Sequence, residues 1–251
     1  MGDNSVCDYL DFITVQGKEQ AFSGALLDYL SSKRINNLVL ETLRPDSVAA
    51  RYVVEEAKTL GHDVSCSQID VSFEMPLPST WEEYLASLES RHRRDIERKI
   101  RQLEKVADVR FSILRDAEVG QAELALFFEM MAGSRRDKAQ FLTPGMRDFF
   151  AGLVHAMSAY GFLRLAFLDV GKARVAGILY FEYNGRVYLY NSGYDPQFAD
   201  MDVGLVSKLY CIRQAIESGI KEFDFLKGSE VYKSQLGGRE VKLSRCVVKL
   251  G

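Results

Sequence analysis

The sequence has little histidine, and its few cysteines are dispersed. With only His62, His92 and His155, none near another, there is no spacing for a histidine metal centre or a nucleophile–histidine triad. Cys7, Cys66, Cys211 and Cys246 form no C-x-x-C pair, which excludes the usual zinc and dithiol motifs and leaves reduced thiols as the expected state. No apolar run approaches the roughly 20 residues of a membrane-spanning helix. The opening MGDNSVCDYLDF has no basic segment followed by an apolar one, so no secretory signal is expected and the chain reads as cytoplasmic. Net charge is small, −3, so nucleic acid or an anionic membrane would have to be held by a local patch. What is present is an ordinary globular composition, 47% hydrophobic and 27% charged over 251 residues, enough for one substantial core or two small ones.

Periodicity divides the chain at Pro76 and Pro78. Before that joint, Tyr9 to Val15 and Asn37 to Glu41 suit strands, and Val64 to Phe73 an extended segment. A helix is predicted from Lys18 to Leu30, and another up to Leu60, capped by Asp46 or Ser47. After the joint come helices at Trp81–Leu88 and Arg91–Val106, a strand at Arg110–Leu114, and helices at Val119–Ala132 and Pro144–Tyr160. Three strands follow, Leu163–Val170, Arg174–Tyr183 and Val187–Ser192, with Asn184-Gly185 as a hairpin signal. A helix from Val203 to Glu217, a strand from Glu222 to Leu226 and a strand from Leu243 to Leu250 complete the order.

Chemistry is most concentrated in FDFLKGSEVYK, Phe223 to Lys233. A short buried strand stops at Gly228 and is expected to release Glu230, Tyr232 and Lys233 into one tight turn. Asp224 alternates with two phenylalanines, so it serves either as an acid–base group or as a hydrogen-bond anchor for a neighbouring loop. Glu230, outside the strand, is the better base; Tyr232 suits a proton donor to a leaving thiolate, and Lys233 a partner for Glu230 or a phosphate.

This run resembles the F-D-F-L-x-G-[DS]-E-x-Y-K signature of GNAT-type acyltransferases of the CelD/BcsL (BioF-like) family, relatives of the FemAB aminoacyltransferases. The resemblance extends from about Trp81 to the C-terminus. It implies an α/β GNAT fold, with a complete acyltransferase unit over 76–251 and a partial GNAT-like unit over 1–75. A repeated pattern agrees: LLDYLSSKRINNLVLETL (Leu26 to Leu43) matches CIRQAIESGIKEFDFLKG (Cys211 to Gly228) in its order of helix end, turn and buried strand. Any two helix–turn–strand units also give such a match.

The resemblance further implies acyl-CoA as co-substrate, acetyl-CoA foremost, with no metal. Its diphosphate would lie on backbone N–H groups of Val203, Gly204, Leu205 and Val206, where a helix start favours an anion. The preceding loop, DPQFADMD, departs from the family's Gly-rich form and sets Asp200 and Asp202 near that anion. Ser229 stands where the family usually has Asp, which removes one carboxylate. Arg135, Lys138, Tyr190, Asn191 and Tyr194 are the candidate substrate contacts. Arg91, Arg94, Arg98, Arg101 and Lys105 form one stripe of a helix, either a solvated face or a site for phosphates. The expected activity is acyl transfer to an amine or hydroxyl of a small-molecule or glycan-precursor acceptor. The alternatives are an aminoacyl-tRNA-dependent transferase and a non-catalytic module of envelope or exopolysaccharide assembly. A half unit without its opening hairpin should also expose a sheet edge, which points to a partner chain over Met1 to Met75 or a homodimer through it.

Overall fold

The structure is a computed structural model that describes residues 6–250; the part of the N-terminal expectations that falls on residues 1–5 lies outside it. The chain forms two compact units, one of Met1–Phe73, Leu226–Glu230 and Arg239–Gly251, the other of Glu74–Phe225 and Val231–Gly238.

In the first unit, α1 (Glu19–Ser32) leads to β1 (Asn37–Leu43), then to a π-helical turn (Ala49–Val53) that continues as α2 (Val54–Thr59). β2 (Asp63–Pro76) and β8 (Arg239–Lys249) complete it, in the strand order β1-β8-β2. β1 and β8 are antiparallel, with Leu40 opposite Cys246. Leu27, Leu40, Val53, Ala57 and Val248 form the core. The predicted cap Ser47 accepts from the Ala50 N–H at 3.1 Å. Asp11 accepts from both Val48 and Ala49 N–H at 2.8 Å.

That second cap explains one correction. Tyr9 to Val15 is not a strand; its carboxylate is drawn to the start of the helix, and Ile13 is fully exposed. A second correction concerns the cysteines. Cys66 and Cys246 are joined in a disulfide with a Cα–Cα distance of 4.1 Å. Sequence spacing misses such a bond because its partners meet only across neighbouring strands. Cys7 and Cys211 are free thiols.

The second unit opens with α3 (Trp81–Ser87), started by a reciprocal Thr80–Glu83 capping box, and α4 (Ser90–Val106). β3 (Val109–Arg115), α5 (Gln121–Ser134), α6 (Arg136–Phe141) and α7 (Pro144–Ala159) follow. Then come β4 (Leu163–Val170), β5 (Ala173–Tyr183), β6 (Arg186–Tyr194), α8 (Val203–Glu217), β7 (Glu222–Lys227) and α9 (Val231–Gln235). The strand order is β7-β6-β5-β4-β3, antiparallel except for the parallel pair β6–β7. Asn184 (φ 50°) and Gly185 (φ 74°) make the predicted hairpin turn with both residues left-handed. Two further stretches differ from expectation: α6 occupies a segment read as loop, and the turn after Gly228 winds into α9.

Apolar layers lie on both faces of this sheet. Phe127, Phe150, Leu165 and Leu179 belong to one cluster, and Leu168, Val175, Val203 and Val206 to another. α5 lies directly on β6, and a Cβ added at Gly193 would sit 2.3 Å from the Met131 backbone nitrogen. Glycine is required there because backbone, not a movable side chain, fills the space.

Candidate functional site

β6 and β7 share register only over Arg186–Tyr188 with Glu222–Asp224, although β6 runs on to Tyr194 and β7 to Lys227. After β6 a 3-10 turn, Pro196–Met201, is started by the Asp195 carboxylate, which accepts from Gln197 N–H at 2.9 Å. Asp202 then adopts φ 54°, and its carbonyl accepts from both Leu205 and Val206 N–H at 2.9 Å, launching α8. Two of the four N–H groups expected at a diphosphate are thus engaged within the chain, leaving that role to Val203 and Gly204. The Asp202 carboxylate makes no cap; it pairs with Lys99 of α4 at 2.8 Å. The acid that the sequence sets beside a docking anion is therefore offset by a cation. The structure gives Gly204 a packing role. A Cβ there would lie 2.8 Å from the Tyr194 ring, so the glycine makes room for Tyr194.

The arginine stripe and the start of α8 meet at one cavity. It measures 620 Å³ and is lined by Arg91, His92, Arg94 and Arg98 of α4, Leu205 of α8 and Gln235 of α9. Arg94 donates to the Ser90 carbonyl at 3.1 Å, and Arg98 to Asp95 and Gln102, each at 2.6 Å. Asp95 shares this wall. Burial works to raise its pKa, but the Arg98 hydrogen bond and the charges of Lys99 and Arg98 hold the carboxyl below its ordinary value. The wall is thus strongly cationic on balance.

Asp224 is fully buried, with its carboxylate 3.7 Å from Arg186. Arg186 also meets Glu74 at 3.3 Å and bonds Glu222. Burial tends to lower the Arg186 pKa, yet Tyr188 and these acids raise it above its ordinary value. Glu230 is exposed, in the segment Leu226–Glu230 that groups with the first unit. Tyr232 is half-buried, with Phe225 edge-on at 6.3 Å and the Lys208 ammonium 4.9 Å from its ring centroid. Lys208, only 8% exposed, also donates to the Gly204 carbonyl at 2.7 Å. Lys233 corrects the expectation of a displayed amine: α9 carries it inward, and it is 2% exposed.

Of the candidate substrate contacts, the structure joins Lys138 and Asn191. Lys138 donates to Asn191 Oδ1 at 3.0 Å and to the Ser192 carbonyl. Tyr190 packs between Phe150 (5.7 Å) and Phe181 (5.3 Å), which is core packing. Arg135 points outward and pairs with Asp137 at 2.7 Å. That hydrogen bond holds the Asp137 carboxyl below its ordinary value. Sequence reasoning missed Lys208 and Arg186. The first had one signal, a lysine inside the apolar face VGLVSKLYCI; the second follows the Asn184-Gly185 turn and carries no signal of its own. Among the described residues no cluster of metal-ligating side chains occurs, and no helix is long and apolar enough to cross a membrane.

A parallel strand pair of short shared register, leading into a helix start on a sheet otherwise antiparallel and flanked by helices, defines an α/β domain of GNAT type. The chain belongs to the acetyltransferase (GNAT) domain family, whose sequence profile matches residues 90–234. That span runs from α4 into α9 and contains the cavity lining from α4 and α8, stopping just short of Gln235 and Leu236. No curated protein matches the chain. Solved structures share its fold at low identity. FemX is 14% identical, with a TM-score of 0.65 over 95% of this chain and 79% of its own. The DUF2156 C-terminal domain of a protein from Agrobacterium fabrum is 8% identical, with a TM-score of 0.63 over 95% and 76%. L-PGS from Bacillus licheniformis is 9% identical, with a TM-score of 0.58 over 90% and 73%.

Proposed function

We propose that this protein moves an acyl group, acetyl foremost, from a CoA thioester to an amine or hydroxyl by direct attack. The observation that carries this reading is the cavity in which the arginine face of α4 meets the first turn of α8. A helix start offers the backbone donors and dipole that a diphosphate needs. The thioester supplies an activated carbonyl. Glu230 takes the proton of the attacking amine or hydroxyl as the new C–N or C–O bond forms and the C–S bond breaks. Tyr232 returns a proton to the departing sulfur. Lys138 and Asn191 orient a small-molecule or glycan-precursor acceptor at the β6 end. No free cysteine or serine with a base beside it takes part, so no acyl-enzyme is invoked.

A thermal-shift comparison of acetyl-CoA, longer acyl-CoAs and aminoacyl-tRNA tests this. A ligand at 100 times its Kd stabilises by about 2.7 kcal/mol. Stabilisation by acyl-CoA, followed by turnover, supports the reading. Stabilisation by aminoacyl-tRNA alone, with steep salt dependence, would favour a FemAB-like donor, the reading that the fold shared with FemX keeps open. Stabilisation without turnover for any acceptor would leave a non-catalytic module.

We also read the first unit as a partial GNAT-like copy. α1 and α8 close in the same way, which supports it. Arg34 (φ 57°) and Gly219 (φ 76°) hold matching places, and Ile35 and Ile220 N–H each bond back to Leu30 and Ala215 carbonyls at 3.0 Å. We place the activity in the cytoplasm. The Cys66–Cys246 disulfide argues the other way, since a reducing compartment keeps such bonds open. Alkylation in denaturant, after a rapid acid quench of intact cells, decides: four alkylated cysteines agree with the cytoplasm, and two do not.

A further inference from the structure

We propose that the α4 wall of the cavity is a subsite for the 3′-phosphate of coenzyme A, by which the protein tells CoA from dephospho-CoA. The proposal rests on the CoA reading above and assigns a role to charges which that reading does not use.

A diphosphate is met by the start of α8, whose dipole amounts to about half a positive charge. At that end Lys99 offsets Asp202 at 2.8 Å. The α4 wall adds guanidiniums to what that helix start offers. Arg91, Arg94 and Arg98 face the same space, with Asp95 the one carboxylate lining it. Arg98 spends its forks on Asp95 and Gln102, and Arg94 spends only its Nε, on its own helix at Ser90. Arg91 and Arg94 are therefore the guanidiniums with donors to give. They sit one turn apart on the same exposed side of α4. A phosphate monoester, close to doubly charged at neutral pH, fits two such forks better than a diester or a neutral ribose hydroxyl does. From Arg91 to Arg98 the wall spans roughly 10 Å of helix, enough to run alongside a nucleotide whose diphosphate lies at α8. Free CoA carries its third phosphate on the ribose, and dephospho-CoA differs from it only there.

The test is calorimetric binding of CoA and dephospho-CoA to the full chain and to the Arg91→Ala/Arg94→Ala variant. The unaltered protein should prefer CoA by about tenfold or more, as expected for charge-assisted hydrogen bonds lost with the phosphate. The variant should bind both ligands alike, with its dephospho-CoA affinity little changed. Arg101→Ala, on the same stripe but outside the cavity lining, should keep the preference. Both altered arginines are exposed, so the variant should fold, and its circular dichroism checks this. Equal affinities in the unaltered protein, or a preference that survives in the variant, would overturn the subsite while leaving CoA as donor. Failure of both ligands to bind the unaltered protein would remove the donor reading, and the subsite with it.

Discussion

Asp224 and Glu230 lie six residues apart in sequence and in opposite environments. The first is buried beside Arg186, and the second stands in solvent. A carboxylate held between a guanidinium and an apolar strand is anchored, and its loss removes the one fully buried member of the Arg186 ion-pair group. Asp224→Asn should therefore lower stability by about 1–3 kcal/mol, read from the urea midpoint, while sparing turnover in the remaining folded protein. Glu230→Gln should do the reverse. Its kcat should fall by about 10²–10⁴-fold, as for a lost proton acceptor, with CoA affinity nearly unchanged. If Asp224→Asn proves the catalytically dead variant and Glu230→Gln the unstable one, base and anchor have been exchanged. Both carboxylates were legible in the sequence, because alternation with phenylalanine marks one and the glycine before it frees the other. The buried lysines were not legible. Lys208 lies inside because its long stem lets the ammonium reach the Gly204 carbonyl and the Tyr232 ring, and Lys233 is buried on α9.

Glycines divide the helices into those that yield and those that do not. At Gly193 the obstacle is the α5 backbone, which has nowhere to go. Gly193→Ala should cost about 3 kcal/mol or more, seen as a large drop in Tm. At Gly204 the obstacle is the Tyr194 ring, which can rotate. Gly204→Ala should leave Tm close to normal but weaken CoA binding by moving Tyr194 at the helix start. Equal loss of Tm in both would show that Tyr194 is as fixed as backbone. α8 is also tied to α4 by Tyr210, whose hydroxyl donates to Glu104 at 3.0 Å. Burial, then that bond and the Glu104 charge, push the phenol up from 10.0 to about 12. A raised folded pKa stabilises below the unfolded value and loses that contribution as pH climbs through the folded one. Tyr210→Phe should thus show a shallower fall of Tm between pH 10 and 12 than the unaltered chain. An identical slope would mean that the bond to Glu104 does not persist in solution.

At this scale most of the sequence reading was sound. The bounds of α8 follow from unbroken apolar periodicity and a glycine stop, and the β5–β6 turn from Asn-Gly. Tyr9 to Val15 failed because strand-like composition says nothing about whether a partner edge is available. α6 failed because a single helical turn has no periodicity to detect.

For the whole molecule, the first unit keeps the open question of partners. β1 ends the strand order, and Ile13, Val15, Tyr29 and Ile35 are exposed. We expect a homodimer through this unit, with a mass in light scattering that doubles across micromolar concentrations and reverts in Ile13→Asp/Val15→Asp. A constant monomer mass would show the unit to be self-sufficient.

The Cys66–Cys246 bond joins positions 180 apart, and the family-matched residues 90–234 lie wholly between them. The chain is therefore a covalent ring with a long N-terminal tail and a short C-terminal one, and it stays a ring when denatured. Closing a loop of that size removes roughly 5 kcal/mol of unfolded-chain entropy. A single peptide cut anywhere in the ring opens it without dividing it. Limited proteolysis should give a species of unchanged mass on a non-reducing gel that falls into two fragments once thiol is added. On this account, an assay for backbone damage run without reductant would score a nicked molecule as intact.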